Sequence, residues 1–302
     1  MLIEKIKEFS DKINSKINFD YDLKKSNWFN IGGKTKVYFK PDSLADLILF
    51  LKKFGSEKKI YTLGAGSNTL ISDNIYDGIV IKLGKNFSNI SLLPNGVIVA
   101  GSACKDKKLS DFALENEIGG LEFLACIPGT IGGGLRMNAG CFNKEFKDIL
   151  ISIQAIDRKG RVKTIPAEKV IFEYRYNGLD EDLIFLSASF KGEKKNKDKI
   201  NKKIIELKEK KENSQPTKIK TSGSTFKNPI KESNKKVWEL IKDSVPQGLS
   251  FGDACISDKH YNFFVNKNNA SFKDMIKLIK FVEESVEKKT GIKLEKEIKI
   301  LE

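Results

Sequence analysis

Two glycine-rich segments constrain this chain more than any other feature: Gly64-Ala65-Gly66-Ser67-Asn68 and Ile127-Pro128-Gly129-Thr130-Ile131-Gly132-Gly133-Gly134. Glycine concentrates where the backbone must take positive φ or approach another molecule, and loops with unencumbered N–H groups cradle phosphate oxygens. Two such loops in one chain favour a phosphate-bearing cofactor over a pair of tight turns between strands. The first loop is not a dinucleotide fingerprint, which needs G-x-G-x-x-G opening a helix. Thr69 stands at the third glycine position, and the chain continues through Leu70-Ile71-Ser72-Asp73 into the β-like Gly78-Ile79-Val80-Ile81-Lys82-Leu83. No Gly-Lys-Ser/Thr follows either segment, which excludes a Walker loop.

The 302 residues suffice for two domains with a substantial core. A net charge of +14 invites a nucleic-acid reading, but Lys outnumbers Arg by 50 to 4 and no aromatic-studded basic stripe accompanies the charge. The densest run, Glu193 to Glu212, mixes carboxylates among its lysines and places Ile200, Ile204, Ile205 and Leu207 at helical spacing, as an amphipathic helix with a solvated face. Arginine is rare enough for each to be weighed. Arg158 and Arg161 flank Gly160 in a hairpin turn and read as surface residues; Arg136 and Arg175 lie beside glycines and aromatics, where a forked guanidinium suits a carboxylate or phosphate.

His260 is the only histidine, which excludes multi-histidine metal chemistry. Cys104, Cys126, Cys141 and Cys255 have no C-x-x-C spacing, so neither a zinc site nor a disulfide framework is indicated, and a reducing cytoplasm fits. The start of the chain, with Leu2, Ile3, Ile6, Phe9, Ile13 and Ile17 among charges, reads as an amphipathic helix rather than a signal peptide. No run is apolar enough to span a bilayer.

The patterning predicts a strand through Val37-Tyr38-Phe39, then a helix from Leu44 to Phe54 with a Ser43/Asp46 capping box, ended by Gly55. Strands follow at Lys59 to Leu63, Gly78 to Leu83 and Val97 to Ala100, then a helix near Lys107 to Glu117 closed by Gly119-Gly120. Further strands lie near Leu150 to Ile156, Val162 to Ile165 and Leu183 to Phe190, giving a mixed α+β body. Ser214-Gln215-Pro216 marks a domain boundary. Beyond it come a helix about Val237 to Asp243, a strand about Tyr261 to Asn266, and a long helix capped by Ser271 and Asp274. A final strand, Ile292 to Leu301, alternates apolar residues with Lys293, Glu295, Glu297 and Lys299, so Glu295 and Glu297 point the same way.

Several segments then fall into a recognisable order: Asn30-Ile31-Gly32-Gly33, Gly64 to Leu70, Ile127 to Gly133 with Met137-Asn138-Ala139-Gly140, Tyr174-Arg175, Gly223 to Pro229, Lys259-His260 with Asn262-Phe263, and Leu294-Glu295-Lys296-Glu297. From about Asn27 to Leu301 the chain resembles the UDP-N-acetylenolpyruvoylglucosamine reductases, and the short connection from Arg175 to Ser224 resembles their shorter, type II class. The resemblance implies an α+β protein with the p-cresol methylhydroxylase-type FAD-binding fold. Its two α/β lobes would be 20–84 and 85–213 within a domain 1–213, followed by a substrate domain 214–302 whose last strand returns toward the active site.

It implies noncovalent FAD held by Ile31, Gly32, Gly64, Ala65, Gly66, Ser67, Asn68, Thr69, Pro128, Gly129, Thr130, Gly132, Gly133, Asn138 and Gly140, with NADPH as electron donor. The substrate would be UDP-N-acetylglucosamine enolpyruvate, contacted by Tyr174, Lys227, Asn228 and Lys259. The implied reaction adds hydride to the enolpyruvyl methylene carbon, with Arg175 holding the developing charge, Ser224 donating the proton and Glu297 polarising the intermediate. It further implies a cytoplasmic monomer without metal, nucleic-acid partner or membrane insertion.

Three departures from the family pattern stand out: Tyr176-Asn177 after Arg175, where a small hydroxyl residue is common two places on; Gly134 in place of a more usual alanine; and Asn27-Trp28-Phe29 in place of a threonine-rich stretch. Two other readings stay open at this point, another FAD-dependent oxidoreductase of the same fold acting on a sugar or alcohol, and a basic anion-binding protein without catalysis.

Overall fold

The β-branched run Leu150–Ile156 forms a strand, as its composition predicts, in a five-stranded antiparallel sheet. In the computed structural model, which describes residues 2–57 and 59–302, that sheet is ordered Val162–Pro166, Leu150–Ile156, Ile184–Phe190, Ile98–Gly101, Ile90–Leu92. The helix Asp106–Glu115 packs its Leu109 and Ala113 into the same core as Ile98, Ile153 and Phe190. A second sheet, ordered Lys16–Asp22, Lys34–Lys40, Tyr76–Ile81, Ile60–Thr62, supports a separate core in which Phe39 stacks on Phe50 at 4.1 Å.

The chain divides into two units: one of residues 1–19, 36–65 and 77–211, the other of 20–35, 66–76 and 212–302. The expected lobe 20–84 is therefore not a unit of its own, because its segments 20–35 and 66–76 group with the C-terminal residues. Phe29, Ile31 and Leu70 account for this: all three are buried in one core with Phe226, Phe264 and the helix residues Met275, Leu278, Ile279, Val282 and Val286. That helix, Phe272–Thr290, has the predicted Ser271/Asp274 capping box and ends at Gly291, whose φ of 73° is the left-handed cap that only glycine takes without strain. The second unit also contains the helix Val237–Ser244 and the antiparallel sheet Ser250–Phe251, Ala254–Ile256, Phe264–Asn266.

Several local expectations are corrected. The first helix stops at Ser10, and Ile17 belongs to the strand Lys16–Asp22, because Ser15 turns the chain by donating its N–H and hydroxyl to the Asp46 carboxylate at 3.0 and 2.6 Å. Those bonds engage the Asp46 side chain, and the helix Leu44–Phe54 keeps one half of the anticipated box, the Ser43 hydroxyl accepting from the Asp46 N–H. Gly55 ends that helix with ordinary φ; a Cβ there would lie 1.8 Å from the Arg158 carbonyl oxygen, so glycine is needed for close approach.

The helix Asp106–Glu115 closes at Asn116, whose amide donates to the Phe112 carbonyl, and Gly119 instead pairs with Glu193. In Lys197–Ser214 only Ile200, Ile204 and Leu207 are buried; Ile205 is exposed. Arg158 is not a surface residue: its guanidinium donates to the Glu57 and Ile60 carbonyls and pairs with Asp182. No helix among the described residues is long and apolar enough to cross a membrane.

Candidate functional site

The second glycine segment is not a plain loop. Thr130 is extended, and Ile131–Arg136 forms a short helix in which the Gly134 N–H donates to the Thr130 carbonyl. The Ile131 and Gly132 N–H groups donate to the Cys104 and Ser102 carbonyls, which fixes this turn on the end of the strand Ile98–Gly101. A Cβ at Gly132 would lie 3.1 Å from Ser102 Cβ, and one at Gly64 would lie 2.9 Å from Thr130 Oγ1. Two segments more than sixty residues apart in sequence thus form one cradle. At Gly133 an added Cβ would meet nothing nearer than Thr130 Oγ1 at 3.7 Å, and the buried Ser102 hydroxyl has no protein partner. An open glycine face beside an orphaned donor fits a cofactor with phosphate and carbonyl oxygens. Ser102 was not singled out in the sequence; its one signal is that it follows Gly101 at the end of a strand.

Arg175 occupies a tight turn in which Glu173 and Tyr176 exchange backbone hydrogen bonds of 3.0 and 3.2 Å. Its φ of 58° is left-handed, a conformation a long side chain adopts only when its surroundings impose it. Asn138 supplies part of that: fully buried, it donates to the Glu173 carbonyl at 3.1 Å and to Glu145, and accepts from the Lys147 N–H. Its side-chain groups thus serve the protein, which makes it the support of the arginine turn. The Arg175 guanidinium reaches the Gly140 carbonyl at 3.4 Å and lies over the Tyr174 ring at 4.9 Å. Arg136, the other arginine given a functional reading, is structural. It donates to the Leu179, Asp180 and Leu183 carbonyls and packs on Phe185, and burial lowers its pKa.

In the second unit, Ser224-Thr225-Phe226-Lys227 runs between two extended segments. On one side Ser224 bridges Phe263, and the Thr225 N–H donates to Asn262; on the other, the Lys227 N–H donates to Glu295. The Glu297 and Ile298 N–H groups both point at the Thr225 carbonyl, at 2.8 and 3.4 Å, a bulge that inserts one residue into the pairing. The expected strand Ile292 to Leu301 is consequently regular only over Lys299–Leu301, which pairs in parallel with Thr69–Ile71. The two glutamates that alternation left equivalent differ in exposure. Glu295 is 71 % exposed and pairs with Lys227 at 2.5 Å, while Glu297 is part-buried.

Asn68 donates to the Glu297 carbonyl at 3.1 Å and accepts from the Lys299 N–H, so the end of the first glycine loop holds the glutamate's backbone. Gly66, with φ 68°, is required there, since a Cβ would lie 2.2 Å from the Ser26 carbonyl oxygen. The Ile31 side chain is in the core, and Gly32 and Gly33 let the backbone approach Ile71 and Asp73. Asn228 accepts from the Val237 N–H at the start of a helix, and the Lys259 amine donates to the Glu212 carbonyl.

The cradle suits a phosphate-bearing cofactor, and the family matches make the chain a flavin-binding oxidoreductase. The FAD binding domain family matches residues 35–166, and the family described as UDP-N-acetylenolpyruvoylglucosamine reductase, C-terminal domain, matches residues 215–301. The chain is 77 % identical over 301 residues to a UDP-N-acetylenolpyruvoylglucosamine reductase of Pelagibacter ubique, covering all of both chains, and 45 % identical over 280 residues to one of Rickettsia bellii, covering 93 % of this chain and 92 % of that protein. Its structure is similar to that of UDP-N-acetylenolpyruvylglucosamine reductase from Thermus caldophilus, with a TM-score of 0.82 at 27 % identity over 96 % of this chain and 99 % of the other. This chain belongs to the UDP-N-acetylenolpyruvoylglucosamine reductase family, which sets aside both the oxidase and the non-catalytic readings.

Proposed function

We propose that Arg175, Ser224 and Glu297 carry the reaction of this family in this chain, the NADPH-dependent reduction of UDP-N-acetylglucosamine enolpyruvate to UDP-N-acetylmuramate for peptidoglycan. When bound, FAD supplies the hydride, which it receives from NADPH. The residues of the glycine cradle, Gly64, Thr130, Gly132 and Gly133 with Ser102, hold the cofactor, and Asn68 and Thr69 continue the first loop. Addition of hydride to the enolpyruvyl methylene carbon places negative charge on the neighbouring carbon and its carboxylate. Arg175, permanently charged and forked, holds that carboxylate. The Ser224 hydroxyl gives its proton to the carbon, and Glu297 polarises the charged intermediate. Tyr174, Lys227, Asn228 and Lys259 contact the sugar nucleotide. In this reading the protein is cytoplasmic and acts as a monomer.

The observation that supports the assignment is the difference between the two carboxylates: Glu297 is part-buried with its N–H on the Thr225 carbonyl, beside Ser224 in sequence, while Glu295 lies in an exposed ion pair. Glu297→Gln is expected to lower kcat by at least roughly 10²-fold with little change in substrate KM, and Glu295→Gln to leave kcat within about twofold. Steady-state kinetics with thermal melts of both variants checks this. Equal defects, or a defect confined to Glu295→Gln, would show that the wrong carboxylate has been assigned.

A further inference from the structure

The dipeptide Asn-Gly occurs twice, at Asn95-Gly96 and Asn177-Gly178. A glycine after asparagine has no side chain to shield its backbone nitrogen, which can then attack the asparagine's side-chain amide. The two copies lie in opposite surroundings.

Asn95-Gly96 is at the tip of the hairpin that joins Ile90–Leu92 to Ile98–Gly101. The Leu93 N–H donates to the Val97 carbonyl and the Gly96 N–H to the Leu93 carbonyl, both at 2.9 Å, a turn with Pro94 in its second position. Ser91 through Asn95 are exposed. The Asn95 Oδ1 accepts from the Val97 N–H at 3.3 Å, which folds the side chain back along the turn and brings Cγ alongside the Gly96 nitrogen. The same N–H is a donor aimed at the oxygen that gains negative charge when Cγ is attacked. The Asn95 side-chain nitrogen has no protein partner among the described residues, and a Cβ at Gly96 would meet nothing within 4 Å.

Asn177 makes the matching contact, its oxygen accepting from the Leu179 N–H at 3.1 Å. Its nitrogen, however, donates to the Leu135 carbonyl at 3.0 Å, and the residue is 1 % exposed. A Cβ at Gly178 would lie 2.9 Å from the Ile171 carbonyl oxygen, so this copy is enclosed. The dipeptide and the bent side chain are common to both copies; a solvated, unheld leaving amide belongs to Asn95 alone.

We propose that Asn95 is a modification site, at which the Gly96 nitrogen displaces the side-chain amide and water converts the product to aspartate and isoaspartate. The turn bond from Gly96 to Leu93 opens first, and on an exposed tip water replaces it. The Gly96 nitrogen gives its proton to hydroxide and forms a bond to Asn95 Cγ. The bond from Cγ to Nδ2 then breaks, and the leaving nitrogen takes a proton from water and departs as ammonia. Water adds to one of the two carbonyl carbons of the resulting five-membered ring and breaks that carbon's bond to the Gly96 nitrogen. Opening at Cγ gives aspartate; opening at the main-chain carbon gives isoaspartate. One water is consumed and one ammonia released, with nothing oxidised or reduced. Either product adds a carboxylate to the tip, and isoaspartate also lengthens the main chain within the turn.

The full-length protein with FAD bound is held at mildly alkaline pH, sampled over days, digested and mapped by mass spectrometry, in parallel with the same chain unfolded in guanidinium chloride. In the folded protein the Asn95 peptide is expected to exchange an amino group for a hydroxyl, resolved as aspartate and isoaspartate forms, at least about tenfold faster than the Asn177 peptide. In the unfolded chain the two are expected to convert at comparable rates, and Gly96→Ala to slow Asn95 there, a comparison that does not depend on how the variant folds. Asn95 staying intact in the folded protein, Asn177 keeping pace with it, aspartate forming without isoaspartate, or a Gly96→Ala chain converting as fast as the parent would each overturn the proposal.

Discussion

A Cβ at Gly134 would lie 2.3 Å from Cε2 of the fully buried Phe146, which gives the departure from alanine a physical cause: the phenyl ring fills the space a methyl would need. Gly134→Ala is therefore expected to destabilise the protein by about 1–3 kcal/mol through overpacking, and Gly134→Ala with Phe146→Leu to recover part of that loss. Urea unfolding of the FAD-saturated proteins checks it, and a neutral single variant would contradict the packing argument. Asn177 has an equally local cause. Its amide donates to the Leu135 carbonyl and its oxygen accepts from the Leu179 N–H, bonds a small hydroxyl is too short to span together. Asn27 likewise ties its own turn by donating to the Ile31 carbonyl at 2.7 Å. Sequence could flag these three positions as departures, because motif order is written in the chain. The compensating partners, Phe146 and the Leu135 carbonyl, are set by packing across the fold and leave no local signal.

At the scale of elements, the helices and strands with a full apolar period were legible in their bounds at Leu44–Phe54 and Leu150–Ile156, and at Phe272–Thr290 in its capped start. Those that failed were decided by a neighbour. The bulge in the last segment depends on the Thr225 carbonyl, and the short helix Ile131–Arg136 on the carbonyls of Ser102 and Cys104. The helix Asp106–Glu115 begins with a further hidden feature. An aspartate in the first turn ordinarily favours the helix dipole, but both Asp106 carboxyl oxygens are buried without a partner, and burial raises the pKa well above its usual value of 3.8. The folded state binds a proton that the unfolded chain has already released, so stability falls as pH rises above that usual value, until the folded-state pKa is passed. Asp106→Asn lacks this slope. Its stability relative to the parent is expected to increase between about pH 5 and about pH 8 in urea melts, and parallel profiles would contradict the assignment.

For the molecule as a whole, family and cofactor were written in the order of short motifs spread over nearly the entire length, whereas the grouping into units was not. Segments 20–35 and 66–76 join the C-terminal unit through Phe29, Ile31 and Leu70, a choice made by one hydrophobic core that no linker composition announces. The division falls inside the first glycine motif, between Ala65 and Gly66, so Gly64, close to Thr130, belongs to one unit and Asn68, which donates to the Glu297 carbonyl, to the other.

In its proposed role Ser224 acts only after hydride has left the cofactor, and the two half-reactions separate that role from any part in folding or FAD binding. In rapid-mixing absorbance measurements, Ser224→Ala with FAD bound is expected to be reduced by NADPH within about twofold of the parent rate, while reoxidation by UDP-N-acetylglucosamine enolpyruvate slows by at least roughly 10²-fold, the low end for a positioned general acid. Equal slowing of both halves, or an unchanged reoxidation rate, would contradict the account.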